Sequence, residues 1–232
     1  MTELVSMLIN DEFPIILPKE RADLPLWQIE GGWERERLRA MHQHIGRGDV
    51  VYYVGAEQGD LPALCQMWGA RMYLFEPAQK TWPCIKAVWE ANGLEDPISF
   101  VGFASNETTP GAHLVSGFPE CADGELLINP GFAELRDVKA QAQIRLDDVA
   151  AQWEPPTVIS FDVEGSEFQV MRGAEQILLE HRPTVFASIH PEFMFDHFRE
   201  YSRNLRDWIM DRGYREEYLQ YEHELHTVYY PK

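Results

Sequence analysis

Cysteine is scarce in this chain. Cys65, Cys84 and Cys121 are odd in number and far apart. They make neither a disulfide framework nor a thiolate metal cluster, and a reducing cytoplasm is the expected compartment. Positive charge is also short: 20 Lys and Arg stand against 38 Asp and Glu, for a formal net charge of −18. Such a field repels phosphate backbones and anionic lipid, so nucleic acid and membrane surfaces are not expected partners. No apolar run approaches membrane-spanning length, and Met1–Ser6 has no basic leader before an apolar core. Low-complexity runs and internal repeats are lacking. What remains is a 232-residue chain, 45% hydrophobic, which suits one α/β domain with an N-terminal extension.

The most informative segment is Val51-Tyr52-Tyr53-Val54-Gly55-Ala56-Glu57-Gln58-Gly59. An apolar strand runs into a glycine turn. A second strand then ends on Glu76-Pro77, with the acid 21 positions after Gly55 (76 − 55 = 21). Strand, tight turn and strand-end carboxylate are how an α/β sheet holds an adenosine-containing ligand, the acid taking the ribose hydroxyls. The glycine spacing is G-x-x-x-G rather than G-x-G-x-x-G, and Glu57 stands where a pyrophosphate would need bare backbone. A carboxylate there repels a pyrophosphate and suits a cationic ligand such as S-adenosylmethionine. The contrast points to a methyltransferase and away from a nucleotide-dependent oxidoreductase.

The rest of the chain reads as alternating elements. Residues 1–30 are an extended, proline-containing lead-in with one short strand, and 31–46 form a helix stopped by Gly46. Strands are expected at 50–54, 72–75, 98–103, 157–161 and 184–189. Helices fall between them, with Asp60, Thr81 and Ser166 as N-terminal caps and Gln169 completing a capping box. One helix runs from Gly165 to before Pro183, another spans about 195–211, and two C-terminal strands follow near 214–220 and 225–230. The segment 106–140 does not alternate and is read as an insertion that shapes the acceptor site. The division is therefore a 1–48 lead-in and helix packed on a 49–232 domain. Strand-helix alternation predicts a doubly wound parallel sheet, whose ligands sit at the carboxyl ends of the strands. Gly55, Glu76, Ala104-Ser105, Asp162 with Glu164, and His190 all fall at such ends.

These residues resemble the FkbM family of S-adenosylmethionine-dependent methyltransferases. The resemblance rests on Val54–Gly59, Phe75-Glu76-Pro77, Leu146-Asp147-Asp148, Asp162-Val163-Glu164-Gly165-Ser166-Glu167-Phe168 with Met171-Arg172-Gly173-Ala174, Ile189-His190-Pro191 and Gly213-Tyr214. The lead-in Gly31-Gly32-Trp33-Glu34 is similar too, so the likeness covers roughly residues 30–230. It implies a Rossmann-like class I methyltransferase fold: a mainly parallel seven-stranded sheet with an antiparallel C-terminal hairpin. It also implies O-methylation of a small molecule, a sugar or glycan. S-adenosylmethionine would contact Tyr53, Gly55, Ala56, Glu57, Gly59, Glu76, Pro77, Ala104, Ser105 and Asp162. The family's usual aspartate at the end of the first strand is Tyr53 here. Glu57 is the candidate substitute, with the Tyr53 ring facing the sulfonium. The alternative is a relative that binds the cofactor without turnover.

His190 is the candidate general base for removing a hydroxyl proton, against the reading of an ordinary strand-end histidine. Asp162 and Glu164 either cap the following helix or face the cleft, where they would orient the acceptor or bind a divalent cation such as magnesium. A resident metal is not expected.

Overall fold

The computed structural model describes residues 2–128, 141–222 and 224–232. The chain opens with an antiparallel hairpin, β1 (Leu4–Ile9) and β2 (Phe13–Pro18). Asn10 and Asp11 turn it with φ of 56° and 60°, a conformation their short polar side chains tolerate. Phe13, Ile15 and Leu17 alternate inward. The single short strand expected here is therefore a two-stranded unit, its second half carrying the period-two pattern. Then come α1 (Lys19–Ala22) and α2 (Arg35–His44).

The alternating core comprises β3 (Val50–Val54), α3 (Asp60–Met67), β4 (Arg71–Phe75), α4 (Trp82–Ala91) and β5 (Ile98–Phe100). Short strands β6 (Phe103–Ala104), β7 (Val115–Ser116) and β8 (Gln143–Ile144) follow, then α5 (Leu146–Ala150) and β9 (Val158–Phe161). The chain continues with α6 (Glu167–Arg172), α7 (Glu175–Glu180), β10 (Thr184–Ile189), α8 (Pro191–Phe198) and α9 (Ser202–Asp211). It closes with the hairpin β11 (Tyr214–Tyr221) and β12 (Leu225–Pro231).

The main sheet has the order β11-β12-β10-β9-β3-β4-β5-β7. The five strands β10, β9, β3, β4 and β5 are parallel, and β12 runs antiparallel to β10. Seven of the eight strands match the expected arrangement. The eighth, β7, adds two antiparallel residues at the β5 edge. All five residues of β3 are buried, as a central parallel strand requires. Val51 and Tyr53 face a layer made by the N-terminal hairpin, α2, α3 and α4. Tyr52 and Val54 face a layer made by α5 to α9.

Strand order reverses between β3 and β9. Tyr53 pairs with Ser160 and Val54 with Phe161, so Gly55 and Asp162 emerge side by side at the crevice where α/β sheets bind ligands.

Several local expectations change. Asp60 is not the cap of α3; Gly59, at φ +91°, precedes the helix, and the Asp60 carboxylate accepts from buried Arg21 Nε at 2.8 Å. Neither Thr81 nor Ser166 caps a helix through its side chain, since their hydroxyls donate to the carbonyls of Ala78 and Val163. The expected third strand stops at Phe100. At Gly102 a Cβ would lie 2.4 Å from the Ala142 carbonyl oxygen, and this close crossing leads Phe103 and Ala104 into a separate pairing with β8. The helix expected from Gly165 is two helices. Gly173 passes so close to the chain that a Cβ would sit 1.9 Å from the Ser105 carbonyl oxygen. The Ile177 N–H beyond the break donates to Asp147 Oδ1 at 3.0 Å. Asp147 thus caps α7, a helix 28 residues further along (175 − 147 = 28). Arg199, at φ 57°, likewise ends α8 and divides the helix expected over 195–211. Residues 129–140 of the expected insertion lie outside the described residues.

Candidate active site

The glycine turn is a packing requirement. Gly55 sits at φ +82°, and a Cβ there would lie 1.8 Å from the Asp162 carbonyl oxygen. Its N–H donates to the Phe75 carbonyl at 2.8 Å, which ties the turn to the end of β4. Glu57 follows in the left-handed region at φ 48°, with its side chain exposed at the rim. At Gly59, also left-handed, a Cβ would approach the Ile85 Cα to 3.0 Å.

Glu76 ends β4, almost fully buried. Its carboxylate accepts the Glu57 N–H and the Ala78 N–H, both at 2.8 Å. Burial pushes this carboxyl up to about 7 against the pull of those two donors. Its neighbour Pro77 is half-buried.

Two cavities meet at the switch point. The narrower, about 10 Å³, is lined by Trp33, Glu34, Tyr53, Gly55, Ala56 and Glu57, together with Asp60 to Pro62 and Asp162. The wider, about 220 Å³, is lined by Arg21, Leu26, Trp33, Glu34, Glu57, Asp162, Glu164, His190 and Glu224. Among the described residues Gly59, Glu76, Pro77, Ala104 and Ser105 line neither; Ala104 belongs to the separate β6–β8 pairing, and the Ser105 N–H donates to the Ile144 carbonyl beside it.

Five carboxylates and two basic side chains, Arg21 and His190, face the wider cavity. Glu34 is held at φ 48° and pairs with buried Arg37 at 2.5 Å. Burial raises its carboxyl to about 8 despite Arg37. Arg37 also reaches Ser160 Oγ at 3.1 Å and Asp162 Oδ2 at 3.4 Å. Burial, then the charge of Glu224, raises Asp162 to about 6, with Arg37 and His190 opposing.

His190 has carboxylates on both sides. Its Nδ1 lies 2.8 Å from Glu167 Oε1, and its Nε2 lies 2.6 Å from Glu224 Oε2 and 3.7 Å from Asp162 Oδ1. The more exposed Glu164 is 3.8 Å from Nε2. Burial alone would lower the imidazole, but the hydrogen bonds to Glu167 and Glu224 raise it to about 11. Burial would raise Glu224, but its bond to His190 and the nearby His226 hold it at about 2. In this arrangement the flanking carboxylates favour the protonated imidazole.

The structure thus brings together Tyr53, Gly55, Ala56, Glu57, Asp162, Glu164 and His190, and it places Glu76 directly behind the turn. Sequence reasoning missed Glu34, Arg37, Glu167 and Glu224. Glu34 and Glu167 lie inside segments already singled out, Gly31–Glu34 and the D-V-E-G-S-E run. Glu224 sits in the hairpin turn between β11 and β12, where an acid carries no signal of its own. Among the described residues no helix is long and apolar enough to cross a membrane.

Sheet order, switch point and glycine turn define a Rossmann-like class I methyltransferase fold. The comparisons agree. The family model described as Methyltransferase FkbM domain matches residues 49–216. The chain belongs to this family and is a methyltransferase. A solved FkbM methyltransferase from Methylobacillus flagellatus is 14% identical, with a TM-score of 0.52. That match covers 85% of this chain and 58% of the other, so the chain spans little more than half of that relative. An rRNA methylase from Streptococcus thermophilus is 9% identical, TM-score 0.52, covering 84% and 93% of the two chains. TYW2 of M. jannaschii in complex with AdoMet is 11% identical, TM-score 0.51, covering 99% and 85%. No curated protein matches the sequence significantly.

Proposed function

We propose that this methyltransferase transfers the methyl group of S-adenosylmethionine to a hydroxyl oxygen of a small polyhydroxylated acceptor, a sugar or glycan unit. The observation that carries this reading is the carboxylate-lined cavity joined to the glycine turn at the switch point. Glu76, whose carboxylate holds the Glu57 and Ala78 N–H groups behind the turn, is the acid this reading assigns to the ribose hydroxyls. Glu57 and Glu34 face the end of the cleft that receives the ammonium and sulfonium. Glu34 supplies from the N-terminal segment the acid that Tyr53 does not.

The same cavity suits the acceptor. Carboxylates accept hydrogen bonds from hydroxyls, and Trp33 with Leu26 offers an apolar wall to the C–H face of a sugar ring. A phosphate backbone would meet Asp162, Glu164 and Glu224 in a chain of net charge −18, which disfavours RNA. In the reaction the hydroxyl oxygen attacks the methyl carbon, the carbon–sulfur bond breaks, and its electron pair leaves on sulfur as S-adenosylhomocysteine. The hydroxyl proton passes to Glu164 at the rim and on to solvent.

Incubation with deuteromethyl S-adenosylmethionine and a panel of glycosides, with an RNA stem-loop alongside, tests the reading. A methyl ether on a glycoside, located by mass spectrometry, is the expected product. Labelled RNA with unlabelled glycosides would overturn the acceptor class, and cofactor binding with no transfer to any member would favour the non-catalytic reading.

A further inference from the structure

We propose that Asp162, His190 and Glu224 form a divalent-cation site on the floor of the acceptor cavity, of the kind that takes manganese(II). One donor atom from each of the three lies within 4.8 Å of the other two. Ligands at about 2.0–2.3 Å from one ion stand roughly 3–4.5 Å apart, so the cluster has the right size. The His190–Glu224 separation of 2.6 Å is slightly short for two ligands of one ion. An entering cation therefore displaces the Nε2 proton to solvent and moves Glu224 back by a few tenths of an ångström.

The surrounding groups argue for a built site rather than a chance grouping of acids. Each ligand is backed by a second buried group that fixes which atom faces the centre. Glu167, fully buried, takes the Nδ1 side of His190 and leaves Nε2 to face inward. Arg37 takes Asp162 Oδ2 at 3.4 Å, while Oδ1 faces His190. His226, itself 3.1 Å from Ser188 Oγ, stands 3.4 Å from Glu224 Oε1, while Oε2 faces His190. A carboxylate behind a metal-binding histidine, with partners behind each ligating carboxylate, is how proteins orient metal ligands. Two carboxylates and a neutral imidazole balance a divalent charge. One imidazole with two hard oxygens suits manganese(II) better than magnesium or calcium, which prefer oxygen alone.

Three protein ligands leave coordination positions open toward the 220 Å³ cavity. The role of the ion rests on the O-methylation reading: it would hold the acceptor hydroxyl oxygen and make its proton easier to lose to Glu164. The existence of the site does not depend on that reading.

The test uses the full chain, stripped with EDTA and dialysed. Manganese(II) added under calorimetry and electron paramagnetic resonance is expected to bind one ion per chain and to raise the melting temperature. Magnesium should bind at least tenfold more weakly. Glu224→Gln and His190→Gln should each abolish stoichiometric binding, and Glu167→Gln, a change at a positioning residue, should weaken it about 10–100-fold. Circular dichroism reports whether each variant folds; if a variant does not, the wild-type titration alone decides. A folded wild type that binds no manganese, or folded variants that bind it as the wild type does, would overturn the site. S-adenosylhomocysteine binding is measured in the same samples. If it persists where manganese binding is absent, the metal site falls and the methyltransferase reading stands; if it too is missing, the cofactor reading falls separately.

Discussion

One oxygen of Glu167 accepts two hydrogen bonds from His190: the backbone N–H at 2.9 Å and ring Nδ1 at 2.8 Å. The Gly165 N–H donates to the same oxygen at 3.2 Å. A fully buried carboxylate thereby joins the first residues after β9 to the end of β10. Glu167→Ala would strand these donors in the core and is expected to destabilise the fold by about 2–4 kcal/mol. Glu167→Gln, which keeps an acceptor oxygen, should cost about 1 kcal/mol. Urea unfolding of the metal-free protein measures both; equal losses would show that the acceptor is not what matters.

Gly55 and Gly111 have similar backbone angles, φ +82° and +84°. Only Gly55 has an obstacle, the Asp162 carbonyl, since nothing lies within 4 Å of a Cβ at Gly111. Gly111→Ala should cost about 1 kcal/mol, the strain of a left-handed alanine. Gly55→Ala adds a main-chain collision at the switch point, so we expect a loss above about 3 kcal/mol or no folded protein. Thermal melts of the pair separate backbone strain from steric exclusion.

Glu76 gives a pH dependence with a definite sign. Its carboxyl ionises near 4.5 in the unfolded chain and at about 7 in the folded one. Between those values the folded state keeps a proton that the unfolded state releases. The contribution of Glu76 to stability therefore falls as pH rises from 4.5 to 7, by up to ~3 kcal/mol, and levels off above. Glu76→Gln should flatten that part of the stability profile, and the difference between the two profiles isolates the group.

Glu57 discriminates by charge. S-adenosylmethionine carries a sulfonium that S-adenosylhomocysteine lacks. With Glu57 lining both cavities, Glu57→Gln should weaken the sulfonium ligand by about 1 kcal/mol more than the neutral thioether, a typical value for a partly screened charge pair. Calorimetry with both ligands reads the difference, and equal losses would place the sulfonium away from Glu57.

The parts legible in the sequence are those built from neighbours. Val50–Val54, the turn through Gly59 and the acid closing β4 form one continuous pattern, and each lies at the predicted strand end. Thr184–Ile189 has the predicted limits because Pro183 and His190-Pro191 bound it. The parts that were not legible depend on distant contacts. Gly173 reads as an ordinary helical residue until the Ser105 carbonyl is seen against it. Asp147 stands in Leu146-Asp147-Asp148 with nothing in the sequence that ties it to α7, the helix it caps. Glu224 enters the site only because β12 pairs with β10 and carries the hairpin turn back beside His190. Long-range pairing of this kind leaves no periodicity to read.

The region matched by the family model begins at residue 49, but Arg21, Leu26, Trp33 and Glu34 form one wall of the cavity. Ile9, Phe13, Ile15, Leu17, Leu38, Met41 and Ile45 complete the buried layer over Val51 and Tyr53. Homology and chemistry thus have different borders in this molecule. An expression fragment trimmed to the matched region would lose one side of its binding crevice and expose an apolar face of the central sheet. Relatives that share residues 49–216 but differ before them would present different side chains on that wall of the crevice.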